Sequence, residues 1–346
     1  MRKDIKITIS LLATILVLSL LLTLATLILT PKNNSPLERG IIGEYYDETD
    51  AGNTHQVVFV GDCEVYESFV PPVLYEEYGI TSYIRGSAQQ LIWQSYYLLE
   101  ETFKYESPDV VVFNVLSMKY GEPQREEYNR MTLDPMRNSS IKYNAIKASM
   151  TDEESLLSYY FPLLRYHSRW KEITPDDFKY MFGTDNVTHN GYLMQTAINP
   201  KTDTLEGRPL KDYTLPEISF EYLNKMKALC DANGAELILI KAPTNVRAYW
   251  WYDEWDEQIV SFANANDVAY YNFIDNEEIG IDWSCDTYDM GMHLNVYGAE
   301  KMTVYFGKLL TERHGIESMK NNPSVSNIWN EKYTNYIAHK NELIGK

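Results

Sequence analysis

Cys63, His293 and an acid at Asp289 or Asp286 are the side chains whose types and spacing suit nucleophilic chemistry. Cys63 follows a run of apolar β-formers in VVFVGDCEVYESF, residues 57–69, so it falls where a strand gives way to a turn. A thiol is more nucleophilic than a hydroxyl, and a neighbouring imidazole can draw off its proton. An acid on the far ring nitrogen then fixes the imidazole's tautomer. The segment DWSCDTYDMGMHLN, 282–295, supplies His293, with Asp289 four residues before it and Asp286 seven before. A strand-to-helix turn also offers backbone N–H groups to a developing oxyanion. Asn114, closing another apolar run, brings an amide donor, and Gly86 permits close backbone approach. Taken singly, each has a plainer reading. A buried Cys is usually inert, and an Asn at a strand end can simply satisfy the backbone. Cys63 and Cys285 can also pair across such a site, which would make it structural or redox-gated.

These residues must be brought together by the elements between them. QVVFVGDC, GITSYIRG, PDVVVFNVL, AELILIKAPT and VAYYNFID read as five strands. Helical patterns such as QQLIWQSYYLLEETFKY and PEISFEYLNKMKALCDANG separate them. That alternation predicts a parallel α/β sheet with helices on both faces. In such open sheets ligands bind outside the carboxyl ends of the strands, where Cys63, Gly86 and Asn114 fall. The stretch between the third and fourth strands exceeds a single crossover, so 117–212 is expected to be a mostly helical insertion. Within it, Arg165, His167 and Arg169 of RYHSRW suit an anionic or acyl-acceptor substrate, with a salt-bridged helix end as the plainer reading. AYWWYDEW, 248–255, suits either a sugar groove or a helix packed on the sheet. The tail, 317–346, has weak helical periodicity and is expected to pack back on the domain.

At the N-terminus, MRKDIK precedes 24 residues without a charge, Ile7 to Thr30. That run is long enough to cross a hydrocarbon core of ~30 Å. Arg2, Lys3 and Lys6 ahead of it place the N-terminus in the cytoplasm by the positive-inside rule. No small-residue cleavage site follows. The expectation is an uncleaved single-pass anchor over 1–30, a linker over 31–54, and a main domain over 55–316 outside the membrane. With 31 basic against 49 acidic residues, the net charge of −18 repels nucleic acid. The 28 Tyr and 7 Trp suit a core or sugar stacking. Three Cys cannot all pair within one chain. No metal cluster, phosphate loop or dinucleotide fingerprint is legible, and no cofactor is expected.

The order Gly61-Asp62-Cys63-Glu64, then Gly86, then Asn114, then YDMGMHLNVYGAEK at 288–301, resembles the SGNH (GDSL-type) hydrolase superfamily. Within it, the chain is similar to membrane-anchored members of bacterial envelopes, of the teichoic-acid D-alanylation and alginate O-acetylation kind. The likeness covers residues 55–315 apart from much of 117–212. It implies a flavodoxin-like three-layer α/β/α fold with a central parallel sheet. Cys63 would take the place of the family's Ser as nucleophile, with His293 as base and Asp289 or Asp286 orienting it. Gly86 and Asn114 would complete the oxyanion hole. The family's D-x-x-H spacing is one residue longer here if Asp289 is the acid. The resemblance further implies an esterase or acyltransferase of the bacterial cell membrane, acting on acyl esters of an envelope polysaccharide or teichoic-type polymer. The alternative is a catalytically silent module that binds envelope glycan or scaffolds a membrane-embedded acyltransferase.

Overall fold

A strand covered on both faces has no solvent side, so its sequence reads as a continuous apolar run rather than an alternation. Such runs form the centre of the computed structural model, which describes residues 2–31, 41–183, 186–200, 209–246 and 251–345. Five strands, β1 (Val57–Gly61), β2 (Ser82–Gly86), β3 (Val110–Asn114), β4 (Glu236–Lys241) and β5 (Ala269–Asn272), pair in parallel in the order β2-β1-β3-β4-β5. Alternate side chains go to opposite faces. Val57 and Phe59 of β1 join one core with helices Cys63–Ser68, Pro71–Tyr78, Val296–Glu312 and Pro323–Ile344. Val58 and Val60 join the other, with helices Ile92–Tyr105, Glu217–Asn233 and Asp253–Asn266. The expected flavodoxin-like α/β/α arrangement is therefore the one observed. Its strand order reverses between β1 and β3, and that switch point is where open sheets leave a crevice at their carboxyl edge.

The chain divides into two compact units, one made of residues 35–151 and 187–346 and containing the sheet, the other of 1–34 and 152–186. In the sheet unit, part of the stretch read as linker is helical. Ile41–Asp50 forms a helix that buries Ile41, Ile42, Tyr45 and Tyr46. Their paired spacing, one helical turn apart, is an amphipathic signal that the polar neighbours mask. The Tyr45 hydroxyl donates to Glu106 Oε1 and the Tyr46 hydroxyl to Glu101 Oε2, both at 2.7 Å. Arg85 lies 4.0 Å over the Tyr45 ring. Residues 32–40 of the expected linker lie outside the described residues.

The region read as one insertion, 117–212, is shared between the units. Helices Glu126–Leu133 and Ser140–Ser149 belong to the sheet unit. The other unit holds the apolar helix Arg2–Leu29 and the short helices Leu156–Tyr160, Leu163–Tyr166, His167–Lys171 (3-10) and Pro175–Lys179. Within Arg2–Leu29, Asp4–Leu29 has the length and composition of a membrane span, with a mean hydropathy of 2.7. Residues 184–185 and 201–208 of the insertion lie outside the described residues.

Candidate active site

β1 ends at Gly61, and Asp62 caps the short helix that starts at Cys63, its Oδ1 accepting from Glu64 N at 3.2 Å. The cap satisfies one of the orphan donors that every helix start carries. Gly86 ends β2 directly opposite Gly61 in the register. A Cβ at Gly86 would sit 3.0 Å from Gly61 O and from Val65 Cγ2, so a larger residue would press the two strand ends apart. Cys63 is thereby held at the carboxyl edge of the sheet, beside the switch point.

His293 arrives from the loop before helix Val296–Glu312. Its Nε2 is 3.0 Å from Cys63 Sγ, and its Nδ1 is 2.6 Å from Asp289 Oδ2. The second Asp289 oxygen accepts from His293 N at 2.8 Å, so one carboxylate grips both the ring and its backbone. With a carboxylate at Nδ1, the network assigns that nitrogen a proton and turns Nε2 toward the thiol. Burial pushes the Cys63 thiol up to about 11, partly offset by His293. Burial by itself would lower the imidazole, but Cys63, Glu67 and the Asp289 bond together hold His293 well above its ordinary value. A weakened acid thus faces a strengthened base, which keeps proton transfer from Sγ to Nε2 within reach.

The sequence left Asp289 and Asp286 as alternatives, and the geometry separates them. Asp286 Oδ2 accepts from Lys301 Nζ at 2.6 Å and from Asp282 N at 2.7 Å, away from the imidazole. Its place is explained by the rest of the 288–301 motif. Asn295 Oδ1 caps the helix by accepting from Tyr297 N and Gly298 N, while its Nδ2 donates to Cys285 O at 2.8 Å and Ala197 O at 3.0 Å. A Cβ on Gly298 would meet Asp286 O at 2.7 Å. Asn, Gly and Lys of the motif therefore pin the loop that carries Asp289 and His293. Cys285 is a free thiol beside Asp286 Oδ1, and Cys63 and Cys230 are free as well.

Asn114 occupies a different role from the oxyanion donor expected of it. Its Nδ2 donates to Asp62 Oδ1 at 3.0 Å and to Glu64 Oε2 at 2.8 Å, which uses both amide hydrogens. Its Oδ1 accepts from Ala242 N at 3.1 Å. Lys241 Nζ completes the cluster, donating to both Glu64 oxygens and to Ala242 O, each at 2.8 Å. Burial is the main reason the Asp62 carboxyl rises to about 6, with Glu64 adding to it. The donor nearest to a developing oxyanion by chain position is the N–H of Cys63 at the start of its helix.

Glu67 is a further acid at the site, beyond those the sequence singles out. It lies four residues after Cys63 on the same helix, and therefore on the same side of it. Its Oε2 is 3.4 Å from His293 Nδ1, and its Oε1 accepts from the Tyr288 hydroxyl at 2.9 Å. Burial raises its carboxyl to about 7, against the pull of His293. The i, i+4 spacing from the nucleophile position was the available signal. Because Glu67 helps hold the imidazolium, Glu67→Gln should lower the His293 pKa. The one-proton form of the Cys63–His293 pair, from which the thiolate is drawn, is then reached at lower pH. The acid limb of kcat/KM for an activated ester is expected to move down in pH, and an unmoved limb would exclude Glu67 from setting it.

Arg165, His167 and Arg169 belong to the unit with the apolar helix. Arg165 lies over the Tyr166 ring at 5.7 Å, and His167 Nδ1 is 3.2 Å from Leu163 O. Arg169 pairs with Asp177 at 2.7 Å. Of AYWWYDEW, residues 248–250 lie outside the described residues. Trp251 is buried, its Nε1 donating to Asp256 Oδ1 at 3.2 Å.

No protein-family model matches the chain, and no curated protein matches it. Among solved structures, it is similar to a GDSL-like lipase from Bacteroides thetaiotaomicron at 14% identity, covering 78% of this chain and 96% of that one, with a TM-score of 0.38. It is also similar to a Bacteroides fragilis protein described as an acylhydrolase, at 13% identity, covering 78% of this chain and 94% of that one, with a TM-score of 0.38. Likeness at this level assigns neither family nor activity, so the functional argument rests on the site itself.

Proposed function

We propose that the chain is a membrane-anchored, extracytoplasmic acyl hydrolase or O-acyltransferase of SGNH type that works through Cys63. The observation carrying this reading is the continuous relay Cys63 Sγ, His293 Nε2, His293 Nδ1, Asp289 Oδ2, with contacts of 3.0 and 2.6 Å. Cys63 Sγ attacks the acyl carbonyl carbon as its proton passes to His293 Nε2. The ester C–O bond breaks, the leaving alcohol takes that proton, and a thioester remains on Cys63. Water or an acceptor hydroxyl then gives its proton to His293 and attacks the thioester carbon, returning the thiol. The span-length helix Asp4–Leu29 supports anchoring. The proposed substrate is an acyl ester on envelope polysaccharide or teichoic-type polymer, with a membrane-embedded acyltransferase as a candidate partner.

Intact-mass labelling of the full chain in detergent, under reducing conditions and with an activated acyl ester, tests the chemistry. A single acyl adduct that maps to Cys63 and forms far more slowly in His293→Ala is the expected result. Absence of any adduct on a chain with all thiols reduced would overturn the enzyme reading. It would favour the silent glycan-binding or scaffolding module, for which the commitment of both Asn114 amide hydrogens already speaks.

A further inference from the structure

The helix Arg2–Leu29 changes character along its length. From Asp4 to Thr23 every residue is exposed, whereas Leu24 to Thr30 are partly covered. The bare, uncharged part, Ile7 to Thr23, is about 26 Å long at the helical rise of 1.5 Å per residue, close to the thickness of a bilayer's hydrocarbon core. What borders the covered end is the segment 156–182 of the same unit. Arg169 ties it there, its Nη1 donating to the terminal carbonyls of Ile28 at 3.4 Å and Leu29 at 3.3 Å. A guanidinium at that end also complements the helix dipole. The Arg169–Asp177 ion pair then fixes helix Pro175–Lys179 to the same point.

This small segment is unusually apolar on its outside. Leu157, Phe161, Leu164, Trp170, Phe178 and Phe182 are all more than half exposed, with Phe182 at 86%. Basic side chains are interleaved with them: Lys171 Nζ lies 5.4 Å from the Trp170 ring centre and Lys179 Nζ 4.3 Å from that of Tyr180. Water would charge heavily for so much bare apolar surface, and monomeric proteins rarely leave patches of this kind open. Exposed aromatics with basic partners, at the depth where an apolar helix ends, match the headgroup boundary of a bilayer, where ring faces sit in the acyl region and cations meet phosphate.

We infer that residues 156–182 form an interfacial collar, seated in the lipid headgroup zone around the carboxyl end of the membrane helix. The inference rests on the reading of Arg2–Leu29 as an anchor. The collar and the helix together hold the chain in the bilayer, one by spanning it and the other by lying in its surface.

Trp170 provides the test. The full chain is placed in nanodiscs of phosphatidylcholine and phosphatidylglycerol, and the emission lost in Trp170→Phe is taken as the Trp170 signal. That signal is expected to be quenched by lipids brominated near the headgroup end of the acyl chain and protected from aqueous iodide. Quenching by iodide but not by bromolipid would overturn the collar while leaving the anchor intact. Protection from both would mean that protein, not lipid, covers the segment, and would overturn it equally. A chain that does not migrate with the discs would remove the anchor and the collar together, without bearing on acyl labelling of Cys63.

Discussion

Cys63→Ala should abolish turnover of an activated ester, and His293→Ala should reduce it by roughly 10²–10⁴-fold, the range in which positioned acid–base groups act. The two losses differ in kind, and pH separates them. Without the thiol there is no nucleophile at any pH. Without the imidazole the thiol remains, but burial raises it to about 11 even with His293 pulling it down, so without that pull very little thiolate exists near neutrality. The residual rate of His293→Ala should therefore climb steadily as pH rises, while Cys63→Ala stays at background. Rates measured for both variants from neutral pH to pH 10 check this, since the two curves must diverge. Equal and pH-independent residual rates would mean that Cys63 is not the attacking group.

Lys241→Met should strongly destabilise the sheet unit. The ammonium group and its partner Glu64 are both fully withdrawn from solvent, with side-chain exposures of 0% and 1%. Removing Lys241 takes from a carboxylate withdrawn from water the ammonium that donates to both of its oxygens. Breaking a buried pair in this way costs about 3–5 kcal/mol. A hydrophobic replacement of similar length fills the space but cannot supply the charge. Thermal unfolding of the full chain in detergent, followed by near-ultraviolet circular dichroism, should show a clearly lowered midpoint. The double variant Glu64→Gln, Lys241→Met should recover part of the loss, because it removes the stranded charge as well. A double variant no better than Lys241→Met would show that the space, rather than the charge, is what matters.

How much of this was legible beforehand depended on whether the signal was local. The strands were readable because burial on both faces writes itself as an uninterrupted apolar run, as in Val57–Val60 and Val110–Phe113. The position of Cys63 followed from the abrupt end of one such run. The choice between Asp289 and Asp286 was not readable, because spacing alone cannot tell which carboxylate Lys301 will take. The partners of Asn114 are hidden for a related reason. Its partners Glu64 and Ala242 lie 50 and 128 residues away in the chain, and nothing in FNVL announces them. Glu67 carries a local signal, the i, i+4 step from Cys63, but that step alone does not announce contact with an imidazole 226 residues further along the chain. Ile41–Asp50 was hidden by composition, since its two apolar pairs are diluted by Glu, Asp and Gly.

The ties among Asn114, Glu64, Lys241 and Ala242 have a consequence for how this edge of the sheet moves. The ends of strands ordinarily fray, since their last hydrogen bonds have neighbours on one side only and open at little free-energy cost. Here the carboxyl ends of β3 and β4 and the helix after β1 are cross-linked beyond the ladder by side chains from all three. Breathing at any one of them must break either the buried Lys241–Glu64 ion pair or the buried hydrogen bonds of Asn114, so opening this edge costs more than fraying an ordinary strand end. The floor beneath Cys63 is in that sense a keystone: mobility needed to admit a substrate has to come from the surrounding loops, because the strands that hold the thiol have been denied it.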